Sequence, residues 1–168
     1  GVLLAQWMFG TEWFNSLLSA GVTYILLLLA ENIPALGRIR HTVIMVWMMG
    51  YMTAAHLWRL HTDYLGWSMD YTGPQMILTI KMTSLAFNLL DGHRKPKYEA
   101  KIADIQAALK SGSVPAEKVR AQEFEVRKLQ GWLERSTTSL PNPLAFLAYV
   151  YLPQSFFAGP AFEYAYYE

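Results

Sequence analysis

The sequence predicts an all-α, polytopic transmembrane protein, and two features of its composition support that prediction. Hydrophobic residues make up 53% of the 168 positions, and they occur in long blocks rather than at regular intervals. Charged residues are only 16% of the chain, and 10 of the 14 Lys and Arg residues lie between positions 92 and 140. Long, nearly charge-free runs beside one charged segment are typical of membrane proteins.

Three apolar runs are long enough to be membrane-spanning helices, and a fourth apolar run is interrupted. The first, near residues 13–30, has no charged residue and approaches the roughly 20 residues that cross a hydrocarbon core. The second and third lie near 42–60 and 72–90. The fourth, near 143–160, is interrupted by proline, so we expect a bent or re-entrant segment there. A transmembrane helix kinked at Pro153 is the alternative.

The third run, from Asp70 to Gly92, reads DYTGPQMILTIKMTSLAFNLLDG and places polar side chains at membrane depth. We expect its helix to begin around Pro74, whose missing N–H costs nothing in a first helical turn. We expect the helix to end at Asp91 and Gly92, with Gly92 in the left-handed conformation of a C-cap. The chain would then leave the membrane as a loop.

Two polar faces of this helix cannot both be covered by lipid. At 100° per residue, Lys81, Ser84 and Asn88 share one face, and Gln75 lies on the roughly opposite face with three threonines. A lysine without a partner at membrane depth costs about 3 kcal/mol, so Lys81 should face a partner, a polar chamber or the interface. We therefore predict that Gln75, Lys81, Ser84 and Asn88 line a substrate chamber.

An alternative interpretation of the same residues needs no chamber. Lys81 would extend along the helix to reach the membrane interface, and the hydroxyl groups would bond to carbonyl groups of their own helix. Two polar faces are harder to explain in this way than a single polar residue would be, which favours the chamber.

Residues 92–140 form the only predicted water-soluble segment, a basic amphipathic loop. Apolar residues recur with helical spacing on both sides of the sequence SGSVP, which indicates a helical hairpin or a pair of interfacial helices. This loop and the connection at 31–41 carry more basic than acidic residues, so the positive-inside rule places both in the cytoplasm. The acidic residues assigned to the opposite side are Glu12, Asp63, Asp70, Glu163 and Glu168.

Several kinds of chemistry are not supported by the residue types or their spacing. The chain has no cysteine, which excludes a disulfide, a cysteine metal site and a cysteine nucleophile. His56 and His61 are five residues apart, about 140° around a helix, so they predict no metal site. We expect His56, in the second span, to be packed and hydrogen-bonded between helices. The net charge of +1 does not indicate a nucleic-acid partner.

Two sequence blocks resemble a known family. The block DYTGPQMILTIKMTSLAFNLLDG, followed after the basic loop by LPNPLAFLAYVYLPQSFFAGPAFEY, is similar to the membrane-bound O-acyltransferase (MBOAT) family. Within that family the resemblance is to the lysophospholipid acyltransferases of the fungal and plant type. It covers the residues after Asp70 except for the variable loop, and the combination of TGPQM, LAFNLLDG and FAGPAFEY is specific.

The resemblance implies a multi-pass enzyme of the endoplasmic reticulum membrane. Such enzymes transfer an acyl chain from acyl-CoA, the co-substrate, to the free hydroxyl of a lysophospholipid, and no further cofactor is implied. A histidine acting as general base on that hydroxyl, together with an asparagine, would carry the chemistry. In the family both residues lie C-terminal to the AGP segment, so no catalytic residue is predicted in this chain.

We expect the chain, which begins at Gly1 without a recognisable signal peptide, to be an N-terminal fragment of such an enzyme and inactive alone. Two alternatives remain open. The polar helix could line a solute path in a transporter or channel, or the family member could acylate a sterol, a diacylglycerol or a protein. These residues do not predict the head group, the acyl chain or the oligomeric state.

Overall fold

The computed structural model describes residues 1–62, 64, 71–111, 115–156 and 160–167. These residues form helices and no strand, so the prediction of an all-α fold is confirmed. In chain order the helices are α1 Val2–Phe9, α2 Trp13–Asn32, α3 Pro34–Thr62, α4 Thr72–Lys110, α5 Ala116–Arg135, α6 Pro143–Val150, α7 Pro153–Phe156 and a 3₁₀ helix, Tyr164–Tyr166. Most of the predicted connection from Arg59 to Asp70, including both of its aspartates, lies outside the described residues.

One helix among the described residues is both long and apolar enough to cross a membrane, and it is α2. Its bounds, Trp13–Asn32, agree with the first predicted span. The predicted spans near 42–60 and 72–90 lie within the longer helices α3 and α4. That these two helices cross a bilayer, and that residues 92–140 face the cytoplasm, stay predictions.

Helices α2, α3 and α4 form the centre of the fold. Only Ile33 separates α2 from α3, so the chain reverses and the two helices pack antiparallel, with the Tyr51 hydroxyl donating to the Asn15 carbonyl at 3.0 Å. Small residues on the buried side of α2 allow neighbouring backbones to approach closely. Buried side chains at this centre include Ala20, Leu27, Ile44, Met48, Leu78, Met82 and Leu85.

Helix α4 does not end at Gly92, and the prediction of a C-cap there is wrong, because the helix continues through Pro96. The missing side chain of Gly92 serves a close contact instead, since a Cβ atom there would lie 2.0 Å from the carbonyl oxygen of Thr137. The backbone N–H of Thr137 also donates to the Asn88 carbonyl at 3.1 Å. Packing of the segment after α5, rather than termination of α4, therefore explains this glycine.

The predicted loop at 92–140 contains the second half of α4 and all of α5, which pack against each other. Leu129 of α5 is buried at this contact, and the rings of Tyr98 and Trp132 lie 5.6 Å apart between centroids. Of the two predicted arrangements, the described residues adopt the helical hairpin. Its connection at 112–114 lies outside the described residues.

The segment near 143–160 is broken into two short helices. Two non-helical residues separate the end of α6 from Pro153, the first residue of α7. The side chain of Asn142 caps the start of α6 by accepting the backbone N–H of Ala145 at 2.7 Å, a common way to satisfy a free donor at a helix start. The segment is therefore bent. Residues 157–159, which follow α7, lie outside the described residues.

The bent segment starts and ends next to the same part of α4, around Asn88. Before α6, the backbone N–H of Thr137 donates to the Asn88 carbonyl, and after α7 the carboxylate of Glu163 accepts from the Asn88 side chain at 2.7 Å. Between these points the Tyr151 hydroxyl lies 3.1 Å from the Ser16 hydroxyl, on the portion of α2 that packs near the start of α4. The bent segment therefore starts and ends next to Asn88, and its re-entrant form in a membrane stays a prediction.

Gly92→Ala is expected to destabilise the protein, because the added methyl group would overlap the Thr137 carbonyl and separate α4 from the segment after α5. Overpacking of this kind costs about 1–3 kcal/mol. Thermal unfolding of the purified protein in detergent measures the effect.

Gly131→Ala in α5 is the matched control for this prediction. A Cβ atom at Gly131 would have its nearest neighbour at 3.7 Å, which is an ordinary contact. Alanine is the better helix former, so this variant should gain up to about 1 kcal/mol. Equal unfolding temperatures for the two variants would contradict the close contact at Gly92.

Candidate functional site

Gln75 is fully buried, and its polar atoms are used within the protein. Its side-chain amide and the hydroxyl of Ser19 on α2 exchange two hydrogen bonds, at 3.0 and 3.1 Å. On the same face of α4, the hydroxyls of Thr79 and Thr83 donate to carbonyl groups one turn earlier in their own helix. The two threonines therefore follow the alternative interpretation, in which hydroxyl groups bond to carbonyl groups of their own helix, whereas Gln75 bonds to the neighbouring helix α2.

Lys81 is 1% exposed and packs against the broken segment. Its amine donates to the Tyr149 carbonyl oxygen at 2.5 Å and to the Ser155 hydroxyl at 3.0 Å. The same nitrogen lies 4.3 Å from the centroid of the Tyr149 ring, within the range of a cation–π interaction. Of the three predicted environments, Lys81 has a partner inside the protein, and the alternative in which it extends to the interface is wrong.

Ser84 and Asn88 hold the carboxylate of Glu163. The Asn88 amide donates to Oε2 of Glu163 at 2.7 Å, and the Ser84 hydroxyl donates to the same oxygen. The two donors are four residues apart on α4, a spacing that places side chains next to each other. Hydrogen bonds to an ionised acceptor are about twice as strong as neutral ones, so this pair holds the carboxylate in one orientation.

The position of Glu163 corrects the topology that its charge suggested. The charge pattern grouped Glu163 with the acidic residues opposite the basic loop, but it lies in one cavity with Arg94 and Arg135 of that loop. The reason is the return of the bent segment towards Asn88. Hydrogen bonds from protein groups replace the water that would otherwise solvate the carboxylate, so Glu163 need not lie on the opposite surface.

A cavity of about 420 Å³ lies where α4, α5 and the returning segment meet. Ser84 and Asn88 line it, whereas Gln75 and Lys81 are not among its lining residues. The charged and polar lining comprises His41, Ser84, Asn88, Asp91, Arg94, Arg135 and Glu163. Two guanidinium groups beside an oriented carboxylate are suited to a ligand that carries both a phosphate and hydrogen-bond donors.

Asp91 is a half-buried acid in the wall of this cavity. Burial raises the pKa of its carboxyl group. The Tyr98 hydroxyl, which donates to Oδ1 at 2.9 Å, and the nearby charges of Arg94 and His41 act in the opposite direction. Because the loss of solvation is the larger effect, the protonated form of Asp91 is more favoured here than in an exposed aspartate.

The histidines do not form a metal centre in the described part of the chain. His56 is exposed on α3, so the prediction that it is packed between helices is wrong, because no helix among the described residues covers that face. His93 uses one ring nitrogen for the Leu89 carbonyl at 2.8 Å and the other for the Arg40 guanidinium at 3.3 Å. Within the described ranges, no three His, Asp or Glu side chains are grouped as a metal ion would require.

The charged cavity residues His41, Asp91, Arg94 and Arg135 were not selected as site residues from the sequence. The partners of Lys81, Ser84 and Asn88 were not selected either, and they are Tyr149, Ser155 and Glu163. One signal for them was present, because a lysine at membrane depth requires a partner. A second signal was the single acidic residue within the apolar stretch FAGPAFEY. Neither signal identifies the partner, since the residues that meet are 68 to 79 positions apart in the chain.

Comparison with known proteins supports the resemblance. The chain is 35% identical to membrane-bound glycerophospholipid O-acyltransferase 2 of Gallus gallus over 95 residues, which are 55% of this chain and 17% of the relative. It is 32% identical to lysophospholipid acyltransferase 6 of Drosophila melanogaster over 123 residues, 73% of this chain and 13% of the relative. It is 27% identical to the lysophospholipid acyltransferase of Schizosaccharomyces pombe over 126 residues, 75% of this chain and 19% of the relative. No protein-family model and no solved structure matches the chain.

These similarities define the class of protein: the chain is a relative of the membrane-bound O-acyltransferases, as its two sequence blocks implied. Within that class, the matching proteins are named as glycerophospholipid or lysophospholipid acyltransferases. The chain spans less than a fifth of the length of these relatives.

Asp91→Asn is expected to stabilise the protein at neutral pH and to have no such effect in acid. Folding raises the pKa of the Asp91 carboxyl group, so protonation of this group favours the folded state. This stabilisation is complete below the pKa of the unfolded state, and it is lost as the pH rises through the pKa of the folded state. Asparagine is neutral throughout and keeps an acceptor for the Tyr98 hydroxyl. The unfolding temperatures of both proteins should therefore diverge as the pH rises. A constant difference across the pH range would contradict the raised pKa.

Proposed function

We propose that the whole protein transfers an acyl chain from acyl-CoA to the free hydroxyl of a lysophospholipid in the endoplasmic reticulum membrane. This chain would contribute one wall of the reaction chamber. The names of its relatives support a lipid acceptor, and its helical fold with the apolar helix α2 is compatible with a membrane-embedded enzyme. The acyl donor, the membrane compartment and the number of spans are parts of the proposal.

One observation supports a role for this chain in substrate binding. The two blocks that resemble the acyltransferases are far apart in sequence, yet they meet where Asn88 of LAFNLLDG donates to Glu163 of FAGPAFEY. The contact forms part of the wall of the 420 Å³ cavity. Two motifs with separate structural roles are not expected to line the same polar cavity. Two motifs that bind one ligand are expected to line it together.

The cavity offers distinct partners for the parts of a phospholipid-like ligand. Arg94 and Arg135 would hold phosphate oxygens, because a guanidinium group matches phosphate in charge and geometry. Glu163, oriented by Ser84 and Asn88, would accept hydrogen bonds from ligand hydroxyl or ammonium groups.

The chemical step would need a general base on the acceptor hydroxyl. The resemblance assigns that base to a histidine beyond the AGP segment, and we assign no catalytic role to His41 or His56. The residues of this chain would position substrate, which affects the rate by fixing the geometry of attack.

Asn88→Ala in the whole protein is expected to lower acyltransferase activity per folded molecule by roughly tenfold to a hundredfold, because a substrate-positioning carboxylate loses one of its two donors. The measurement uses labelled acyl-CoA and lysophospholipid, with the activity normalised to folded protein. Gln75→Ala is the matched control. It removes bonds between helices worth about 0.6 kcal/mol on average and should lower stability while leaving specific activity unchanged. Equal specific activities for the two variants would contradict the cavity assignment.

The proposed topology is tested separately with glycosylation acceptor sites inserted in the whole protein. An acceptor at Ser111, between α4 and α5, should stay unmodified, because the basic hairpin is expected in the cytoplasm. An acceptor after Thr62, at the end of α3, should be modified in the lumen of the endoplasmic reticulum. Modification at Ser111 and none after Thr62 would reverse the assignment.

A further inference from the structure

The break between α6 and α7 leaves a backbone carbonyl without its usual partner. In a continuous helix the carbonyl of Tyr149 would accept the N–H of the fourth residue on, but that residue is Pro153, which has no N–H. The amine of Lys81 donates to this oxygen at 2.5 Å and so replaces the missing donor. A positive charge at the C-terminal end of α6 is also favourable to the helix dipole.

The same amine holds the returning part of the segment. It donates to the hydroxyl of Ser155 in α7 at 3.0 Å, and it lies 5.4 Å from the centroid of the Phe162 ring. Lys81 therefore contacts the chain both before and after the break. An apolar residue of similar length would fill the space and leave both acceptors without their donor.

A second contact extends this arrangement to the cavity. The Tyr149 hydroxyl donates to the Phe162 carbonyl at 2.7 Å, and Phe162 directly precedes Glu163. Glu163 in turn accepts from Ser84 and Asn88, which lie on the same face of α4 as Lys81. One helical face thus contacts the bent segment at its break and again at its return.

We propose that Lys81 is a positioning residue. By bonding to the Tyr149 carbonyl and the Ser155 hydroxyl, it fixes the break of the re-entrant segment and thereby places the carboxylate of Glu163 against Asn88. Its use in catalysis rests on the proposed function, but the placement itself does not.

Cross-linking tests the placement without any activity. The 168 residues contain no cysteine, so the pair Ser84→Cys and Glu163→Cys introduces the only two thiols of this part of the protein. The pair also removes the bonds that Glu163 makes to α4, so its position then depends on the upstream contacts. A short bifunctional thiol reagent is applied to the whole protein in membranes, and mass spectrometry of the linked peptides gives the yield.

Lys81→Met in this background removes both hydrogen bonds of the amine and should lower the cross-link yield at least tenfold, the change in population that loss of a single hydrogen bond to a charged group already produces. Tyr149→Phe keeps the Lys81 contacts and removes only the bond to the Phe162 carbonyl, and it should lower the yield as well. If Lys81→Met does not fold, the cross-link yield of Tyr149→Phe still tests the placement of Glu163. Thr83→Val, whose hydroxyl bonds only within α4, is the control and should give the unchanged yield. An unchanged yield in folded Lys81→Met would overturn the proposal. If Lys81→Met does not fold, an unchanged yield in Tyr149→Phe would overturn it.

Kinetics of the whole protein without the cysteine pair separate a positioning role from a structural one. Tyr149→Phe should lower kcat roughly tenfold per folded molecule, with the KM for acyl-CoA little changed, while Thr83→Val matches the parent protein. A lower yield of folded protein with unchanged kcat would overturn the positioning role in catalysis. Absence of acyl transfer in the parent protein would instead refute the proposed function and leave the cross-linking result standing.

Discussion

The bond between the Lys81 amine and the Tyr149 carbonyl is the contact on which the bent segment formed by α6 and α7 depends. Irregular backbone away from water is tolerated only when protein groups satisfy its N–H and C=O groups. Proline at position 153 removes the helical donor for Tyr149, and the buried lysine supplies another. A charged residue that is costly to bury thus becomes useful, because it compensates for a break that a continuous helix would not contain.

The polar face of α4 acts as a template for residues that come much later in the chain. Lys81 contacts the bent segment at its break, and Ser84 and Asn88 contact it again at Glu163. The contacts of Lys81 satisfy a buried amine and a backbone carbonyl, and those of Ser84 and Asn88 hold a half-buried carboxylate. The same contacts shape the cavity at the junction with the basic hairpin, so packing and the candidate site are built from one set of side chains.

Continuity of α4 beyond Gly92 joins the apolar core to the charged hairpin as one rigid helix. The first of the two blocks that resemble the acyltransferases ends at Gly92, and Arg94 and Tyr98 follow it on the same helix. The backbone of the segment after α5 packs against Gly92, so the hairpin is held to α4 near the cavity as well as along its own length. A helix that ended at Gly92 would have left the orientation of the two arginines to a flexible loop.

The sequence by itself determined that the long apolar stretches are helical and which residues share a face of α4, but not where α3 begins or α4 ends. Apolar blocks, proline positions and the 100° helical repeat depend on neighbours within a few residues, and for that reason Lys81, Ser84 and Asn88 could be grouped correctly. Only the tertiary structure decided what each face meets. Gln75 bonds to Ser19 and Lys81 to a carbonyl 68 residues later, while Ser84 and Asn88 reach a cavity. Local periodicity contains no information about partners so distant in the chain. A glycine such as Gly92 is compatible both with the end of a helix and with the close approach of another backbone, so the sequence does not distinguish the two.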